Sequence, residues 1–135
     1  MNRPTILRRY GLGALLFCML GVSVLAQAQE KYGRFTAAEL ASLPQYCQDK
    51  KNNVNGERWA RTFGRDNYMH IHHYCNGLIY FSRANMEIDA KRRRPYISSG
   101  LNGFNYVLRL WPANFQLYPL AQMYKQQLEM MRNWN

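Results

Sequence analysis

Three histidines, a cysteine and a tyrosine lie close together near the middle of the chain, in the run His70-x-His72-His73-Tyr74-Cys75. Imidazole and thiolate are ligands that zinc, copper and haem iron accept, so this run could bind a metal or a haem. On one helix, His70 and His73 would lie one turn apart and could chelate a single ion, whereas His72 would point to the opposite side. Alternatively, the imidazoles and Tyr74 belong to the packing of a helical domain. The residues alone leave both interpretations open.

Two cysteines beyond the N-terminal segment, Cys47 and Cys75, bear on the same choice. In an exported protein such a pair meets an oxidising compartment, where thiols close into a disulfide. We therefore expect a Cys47–Cys75 disulfide. A free Cys75 would instead be available to a metal as a thiolate.

The N-terminal segment has the order of features found in a signal peptide. A basic start with three arginines precedes an apolar core over residues 12–25, and Ala26-Gln27-Ala28 is a small-x-small cleavage site. The apolar core is too short to span a bilayer as a helix. These features predict a signal peptide over residues 1–28 and an exported, periplasmic protein with no transmembrane segment after the leader is removed.

The remaining residues, 29–135, are enough for a single small domain with one core. Without the three leader arginines this domain keeps 15 basic residues against 8 acidic ones, a net charge of about +7. A positive surface favours an acidic partner, while export argues against nucleic acid. No serine, cysteine or glycine motif with a known mechanism is present, so we expect no enzyme.

Helical signals follow one another along this domain and no alternating strand pattern occurs, which predicts an all-α fold of about five helices. Thr36 and Glu39 form a capping box at the start of the first helix. Residues 49–56 are polar and lack an apolar rhythm, which predicts a solvated loop.

Two longer helices should position the histidine run. The first starts at Asp66 or Asn67 and ends near Met86. The second starts at Pro95, where the missing backbone donor costs nothing, and ends before Pro112. Its apolar residues recur on one face: Ile97, Leu101, Phe104, Leu108 and Trp111.

Two glycines, Gly100 and Gly103, lie beside this apolar stripe. A glycine has no side chain to hold two helix axes apart, so the pair favours a close approach by the preceding helix. A final helix should open at Pro119 and cap the domain.

The two long helices resemble a tetratricopeptide-type repeat (TPR). The matching positions in the first helix are His73, Gly77 and Tyr80. Those in the second helix are Gly100, Phe104, Val107, Leu108 and Pro112. Val107 stands where the family has alanine. Gly77 and Gly100 are 23 positions apart, about 11 more than in the family, so the helices or the turn must be longer.

The resemblance implies a helical hairpin with a capping helix that binds a protein or peptide in a groove, without catalysis or cofactor. Exposed aromatic and basic residues of the hairpin would line that groove: Tyr80, Arg83, Tyr106 and Arg109. The segment Leu43-Pro44-Gln45-Tyr46-Cys47, with the histidine run, is also similar to small exported bacterial proteins of this repeat type. The rival hypothesis is a periplasmic metal-binding protein that holds copper, zinc or haem through His70 and His73.

Overall fold

Helices are the regular elements of residues 35–134, the part of the chain that this computed structural model describes. We number them α1 (Ala37–Ala41), α2 (Gln45–Asn52), α3 (Gly56–Phe63), α4 (Arg65–Met69), α5 (Ile71–Met86), α6 (Ala90–Leu110) and α7 (Tyr118–Asn133). The all-α prediction is confirmed, but the expected number of about five helices is wrong, since this part of the chain has seven. The predicted signal peptide lies outside the described residues.

The first helix begins with the predicted capping box. The Thr36 hydroxyl accepts the backbone N–H of Glu39 (3.2 Å), and the Glu39 carboxylate accepts the backbone N–H of Thr36 (2.7 Å). Two backbone donors at the helix end are thereby satisfied. Helix α1 has no buried residue of its own, so it depends on side-chain contacts with the rest of the domain.

The predicted single helix around the histidine run is divided at His70 into α4 and α5. In a continuous helix the Asn67 carbonyl would accept the backbone N–H of Ile71. Here it accepts the indole N–H of Trp111, at 3.0 Å. A contact with a residue at the far end of α6 therefore accompanies the break, and the histidine run begins at the start of α5 instead of lying within one helix.

Helix α6 starts before Pro95, so the predicted start at that proline is wrong. The Asp89 side chain accepts the backbone N–H of Arg92 at 2.8 Å and caps the helix. Pro95 is consequently an internal residue of α6, where it removes one helical hydrogen bond. Helices α5 and α6 are 16 and 21 residues long, and only residues 87–89 join them.

Helices α5 and α6 form an antiparallel hairpin held close by glycine, as predicted. A Cβ atom on Gly103 would lie 2.6 Å from the His73 carbonyl oxygen, so only glycine allows this separation of the two backbones. On Gly100 a Cβ atom would lie 2.6 Å from a methyl group of Leu128, which brings α7 against the same helix. The ring of Phe104 fills the space in front of Gly77.

The core lies between α5, α6 and α7 and continues beneath the shorter helices. Its most deeply buried side chains are Ile71, Tyr74, Ile79, Ile97, Phe104, Val107 and Leu128. Tyr46 of α2 and Tyr74 of α5 line one cavity where the first part of the domain meets the hairpin. None of the described helices combines the length and apolar character needed to cross a bilayer.

A disulfide joins α2 to α5, which confirms the predicted pairing of Cys47 with Cys75. Their Cα atoms are 5.5 Å apart, and both side chains are fully buried. The link closes a loop of 28 positions and ties the N-terminal helices to the hairpin.

Asp49 is buried in α2 and does not belong to a solvated loop, so the prediction for residues 49–56 is wrong at its start. The carboxylate accepts hydrogen bonds from Trp59 (2.8 Å), Asn55 (2.9 Å) and Gln45 (2.7 Å). These bonds, with the one from Trp59 the strongest, lower the pKa of Asp49 below its usual value. Asn55 from this segment thus joins donors from α2 and α3 around one buried carboxylate, and helix α2 extends to Asn52.

Candidate partner-binding groove and histidine cluster

A groove of about 590 Å³ runs along the outer surface of the α5–α6 hairpin. It is lined by His73, Asn76, Tyr80, Ser99, Asn102, Gly103, Asn105, Tyr106 and Arg109, and we call it the central groove. Three of the residues predicted to bind a partner, Tyr80, Tyr106 and Arg109, therefore lie together. Gly103 allows α5 and α6 to approach closely at its base.

Of the histidine run, His73 lines the central groove, and both His73 and His70 contact Tyr106. The rings of His73 and Tyr106 have centroids 3.7 Å apart, and His70 Nδ1 lies 3.4 Å from the Tyr106 hydroxyl. The ring of His72 lies 4.1 Å from that of His73, so the prediction that His72 points away from His73 is wrong. Because α5 begins after His70, these side chains are oriented differently from those of a single helix that starts at Asp66 or Asn67.

Asn76 is held at the edge of the central groove by a lysine from α2. Lys51 Nζ donates a 2.5 Å hydrogen bond to Asn76 Oδ1. The bond fixes the side-chain amide and leaves the NH₂ group as a donor and the second lone pair of Oδ1 as an acceptor for a ligand. Partial burial lowers the pKa of Lys51.

A second groove of about 440 Å³ adjoins the first on the α7 side. It is lined by Asn105, Leu108, Arg109, Tyr118, Gln122, Lys125 and Gln126, and we call it the side groove. The two grooves share Asn105 and Arg109, so they form one continuous polar surface across α6. Among the described residues that line either groove there are two cations, Arg109 and Lys125, and no carboxylate.

Arg83, the fourth residue predicted to bind a partner, is not among the residues that line the central groove. Its side chain is buried against α1, where Nε and Nη2 donate to the Glu39 carboxylate at 2.5 Å and 2.9 Å. The aromatic ring of Phe35 lies 5.4 Å from the guanidinium carbon. Arg83 therefore holds α1 against the hairpin, and we do not include it in the candidate interface.

The histidine cluster offers little to a metal ion in this arrangement. No group of three or more His, Cys, Asp or Glu side chains suited to a metal occurs within residues 35–134. Cys75 is bonded to Cys47 and cannot act as a thiolate. The hydroxyl and ring of Tyr106 face His70 and His73, so a metal bridging the two predicted ligands would have to displace that tyrosine.

Burial nevertheless keeps part of the cluster in the neutral form that metals and hydrogen-bond donors prefer. Desolvation lowers the pKa of His73, and the neighbouring His72 and His70 lower it further. Desolvation likewise lowers the pKa of His72, although its Nδ1–H donates to the Met69 carbonyl at 3.1 Å. Both rings are therefore neutral at pH 7, and Nε2 of His72 carries a lone pair.

Asn76, Asn102 and Asn105 were not identified as site residues from the sequence. A signal for two of them was present, since Asn102, Asn105 and Arg109 recur at i, i+3 and i+7 on a polar face of α6 that flanks its apolar stripe. Comparison of the chain with protein-family models, curated proteins and solved structures finds no match. The assignment of this surface therefore depends on its geometry and chemistry.

Proposed function

We propose that the protein is an exported, periplasmic, non-catalytic TPR-like module that binds an acidic segment of a protein or peptide across the central and side grooves. The observation that carries this proposal is the continuous surface in which Tyr80, Tyr106 and Arg109 converge with amide side chains and no carboxylate. A polar, open, elongated surface suits an extended chain better than a compact apolar molecule.

The donors on this surface explain the expected preference for acidic segments. Arg109 presents a planar guanidinium that pairs with carboxylates in bidentate geometry, and the NH₂ group of Asn76, whose oxygen accepts from Lys51, supplies a further donor. Asn102 and Asn105 each supply a donor and an acceptor, which match the alternating groups of a peptide backbone. Tyr80 and Tyr106 add apolar contact area with little loss of rotamer freedom.

An array of short peptides graded in acidity tests the proposal. We expect acidic peptides to bind, with affinity falling as salt is raised. The variant Tyr106→Ala/Arg109→Gln should bind at least about tenfold more weakly, as expected for the loss of one aromatic and one arginine contact. The control Arg58→Gln/Arg61→Gln removes two positive charges from α3, outside the grooves, and should bind as the wild type does. Equal weakening in both variants would leave only non-specific charge attraction and refute the proposal.

Metal binding at the histidine cluster is the rival proposal, favoured by the neutral rings of His72 and His73 and by the lone pair on His72 Nε2. A native mass spectrum of protein purified without chelators or metal-affinity steps tests it. A stoichiometric metal adduct that is lost in His70→Ala/His73→Ala would support the rival. Metal-free protein would support the histidines as packing partners of Tyr106.

A further inference from the structure

One end of the helical domain combines exposed apolar side chains with a dense set of basic ones. The α5–α6 turn, the first turns of α6 and the last turn of α7 meet there, because Arg94 and Ile97 from α6 line a single cavity with Glu129 and Arg132 from α7. We call this end the basic tip. The same cavity extends to Asn102 and Asn105 and so adjoins the central and side grooves, but neither groove is lined by Arg94, Ile97, Glu129 or Arg132.

Four large apolar side chains of the basic tip are exposed to solvent. The exposed fractions are 67% for Met86, 88% for Ile88, 56% for Met130 and 89% for Trp134. A side chain with nearly nine-tenths of its surface accessible protrudes and cannot line a cavity. Ile88 and Trp134 therefore contribute nothing to the core of residues 35–134. Exposing two such large apolar side chains to water is unfavourable.

Basic residues are frequent in the same segments of the chain as these apolar residues. The charged residues of the basic tip are Lys91, Arg92, Arg93, Arg94 and Arg132, against Glu87, Asp89 and Glu129. The acidic groups are engaged within the protein: Glu87 accepts the backbone N–H of Asp89, Asp89 caps α6, and Glu129 pairs with Lys125 at 3.4 Å. Arg92 pairs with Glu87 at 3.5 Å and lies 3.8 Å from Asp89. Lys91 and Arg132 are exposed, and five basic residues against three acidic ones give the basic tip a net positive charge.

We propose that the basic tip docks on an anionic lipid surface, with Ile88 and Trp134 inserted at the head-group level and Lys91 and Arg132 against the lipid phosphates. Exposed apolar side chains accompanied by lysine and arginine are the combination that binds the interface of a charged membrane. Tryptophan in particular favours the head-group region, where its ring is apolar and its N–H can be hydrated.

A lipid surface fits better than the two alternative occupants. A second copy of the chain, placed symmetrically on the same end, would bring Lys91 and Arg132 against the same charges of its partner. A rigid acidic protein would need cavities already shaped for Ile88 and Trp134, whereas fluid lipid head groups part around a protruding side chain. Docking by this end would leave the central groove open for a partner.

Co-sedimentation with vesicles tests the proposal, using protein isolated from the periplasm so that the leader has been removed by the cell. We expect binding to vesicles of mixed phosphatidylglycerol and phosphatidylcholine, no binding to phosphatidylcholine alone, and release at high salt. The variant Ile88→Ser/Trp134→Ser should bind about tenfold more weakly, the loss expected for two partly inserted apolar side chains. The control Val54→Ser/Leu110→Ser changes side chains that are 47% and 49% exposed away from the basic tip, and should bind normally.

Quenching of fluorescence by brominated lipids locates the contact within the chain. Of the three tryptophans, Trp111 is buried and Trp59 is tied to Asp49, so quenching should affect Trp134 and disappear in Trp134→Phe. Equal vesicle binding by Ile88→Ser/Trp134→Ser and by its control would overturn the proposal. So would a dimer, or a complex with an acidic peptide, that depends on Ile88 and Trp134 while vesicles are not bound.

Discussion

The ion pair between Glu39 and Arg83 offers the sharpest test of how the first helix is held. The two residues are 44 positions apart, their side chains are 17% and 9% exposed, and Arg83 donates two hydrogen bonds to the carboxylate. Glu39→Gln keeps the size of the side chain and an acceptor for the backbone N–H of Thr36 but removes the charge. We expect this single change to weaken the attachment of α1 to the hairpin.

The magnitude follows from the pKa of Glu39, which the hydrogen bonds from Arg83 lower from 4.5 to about 2. Such a shift corresponds to about 3 kcal/mol of stability at neutral pH. Solvent reaches part of the carboxylate, and α1 can detach without unfolding the domain, so we expect a loss of about 2 kcal/mol in Glu39→Gln. Below pH 4.5 the unfolded chain binds more protons at this group than the native state, so the contribution of Glu39 decreases as pH falls towards about 2.

Urea unfolding followed by circular dichroism measures this contribution. The free energies of unfolding of the wild type and Glu39→Gln should differ by about 2 kcal/mol at pH 7, and the difference should close as pH falls from 4.5 to about 2. Glu57→Gln is the matched control, because Glu57 pairs with Arg65 at 3.2 Å with both side chains about 70% exposed, and its loss should be negligible. A difference that is independent of pH, or no larger than the control, would refute the reasoning.

Two further predictions concern the hairpin and the disulfide. Gly103→Ala should lower the free energy of unfolding by about 2–3 kcal/mol because its Cβ would meet the backbone of α5. Gly56→Ala is the control and should raise the free energy of unfolding slightly, because its Cβ would have its nearest neighbour at 4.0 Å. Urea titration measures both changes. Replacing Cys47 and Cys75 together by serine should cost about 3–4 kcal/mol from the loop of 28 positions, and equal stability of that variant and the reduced wild type would show that the loss comes from the covalent link.

Several features could be predicted from the sequence because they depend on neighbouring residues or on simple chemistry. The capping box of Thr36 and Glu39 needs only local backbone geometry, and the Cys47–Cys75 pair could be predicted because these are the two cysteines beyond the N-terminal segment. Gly103 was correctly associated with close helix packing because it lies beside the apolar stripe of α6. The all-α fold class followed from helical periodicity in the same way.

Other features depend on contacts between distant residues, and the sequence alone did not reveal them. The break at His70 is accompanied by the hydrogen bond from Trp111 to the Asn67 carbonyl, across 44 positions. Asp49 looked like a loop residue because the chain around it is polar, but its three hydrogen-bond donors bury it. The sequence offered two possible starts for α6, and the helix begins after the cap at Asp89, with Pro95 inside it.

Only part of the candidate site could be predicted from the sequence, because helical periodicity shows which side of a helix a residue lies on but not its contacts with distant residues. Tyr80, Tyr106 and Arg109 lie on the polar side of the hairpin, where helical periodicity alone places them. Arg83 follows Tyr80 by three positions, yet it is drawn against α1 by Glu39. Only the tertiary structure shows that a basic residue next to the groove is already committed to an ion pair.

The central claim is that the surface shared by the central and side grooves binds an acidic peptide, and a titration followed by ¹⁵N–¹H NMR tests it most directly. We expect the backbone amides of residues 73–80 and 99–109, and those of 118–126, to shift as an acidic peptide is added. The shifts should be absent in Tyr106→Ala/Arg109→Gln, while Arg58→Gln/Arg61→Gln should retain them. Shifts confined to the basic tip at residues 86–94, or spread evenly over the exposed basic residues, would contradict the account.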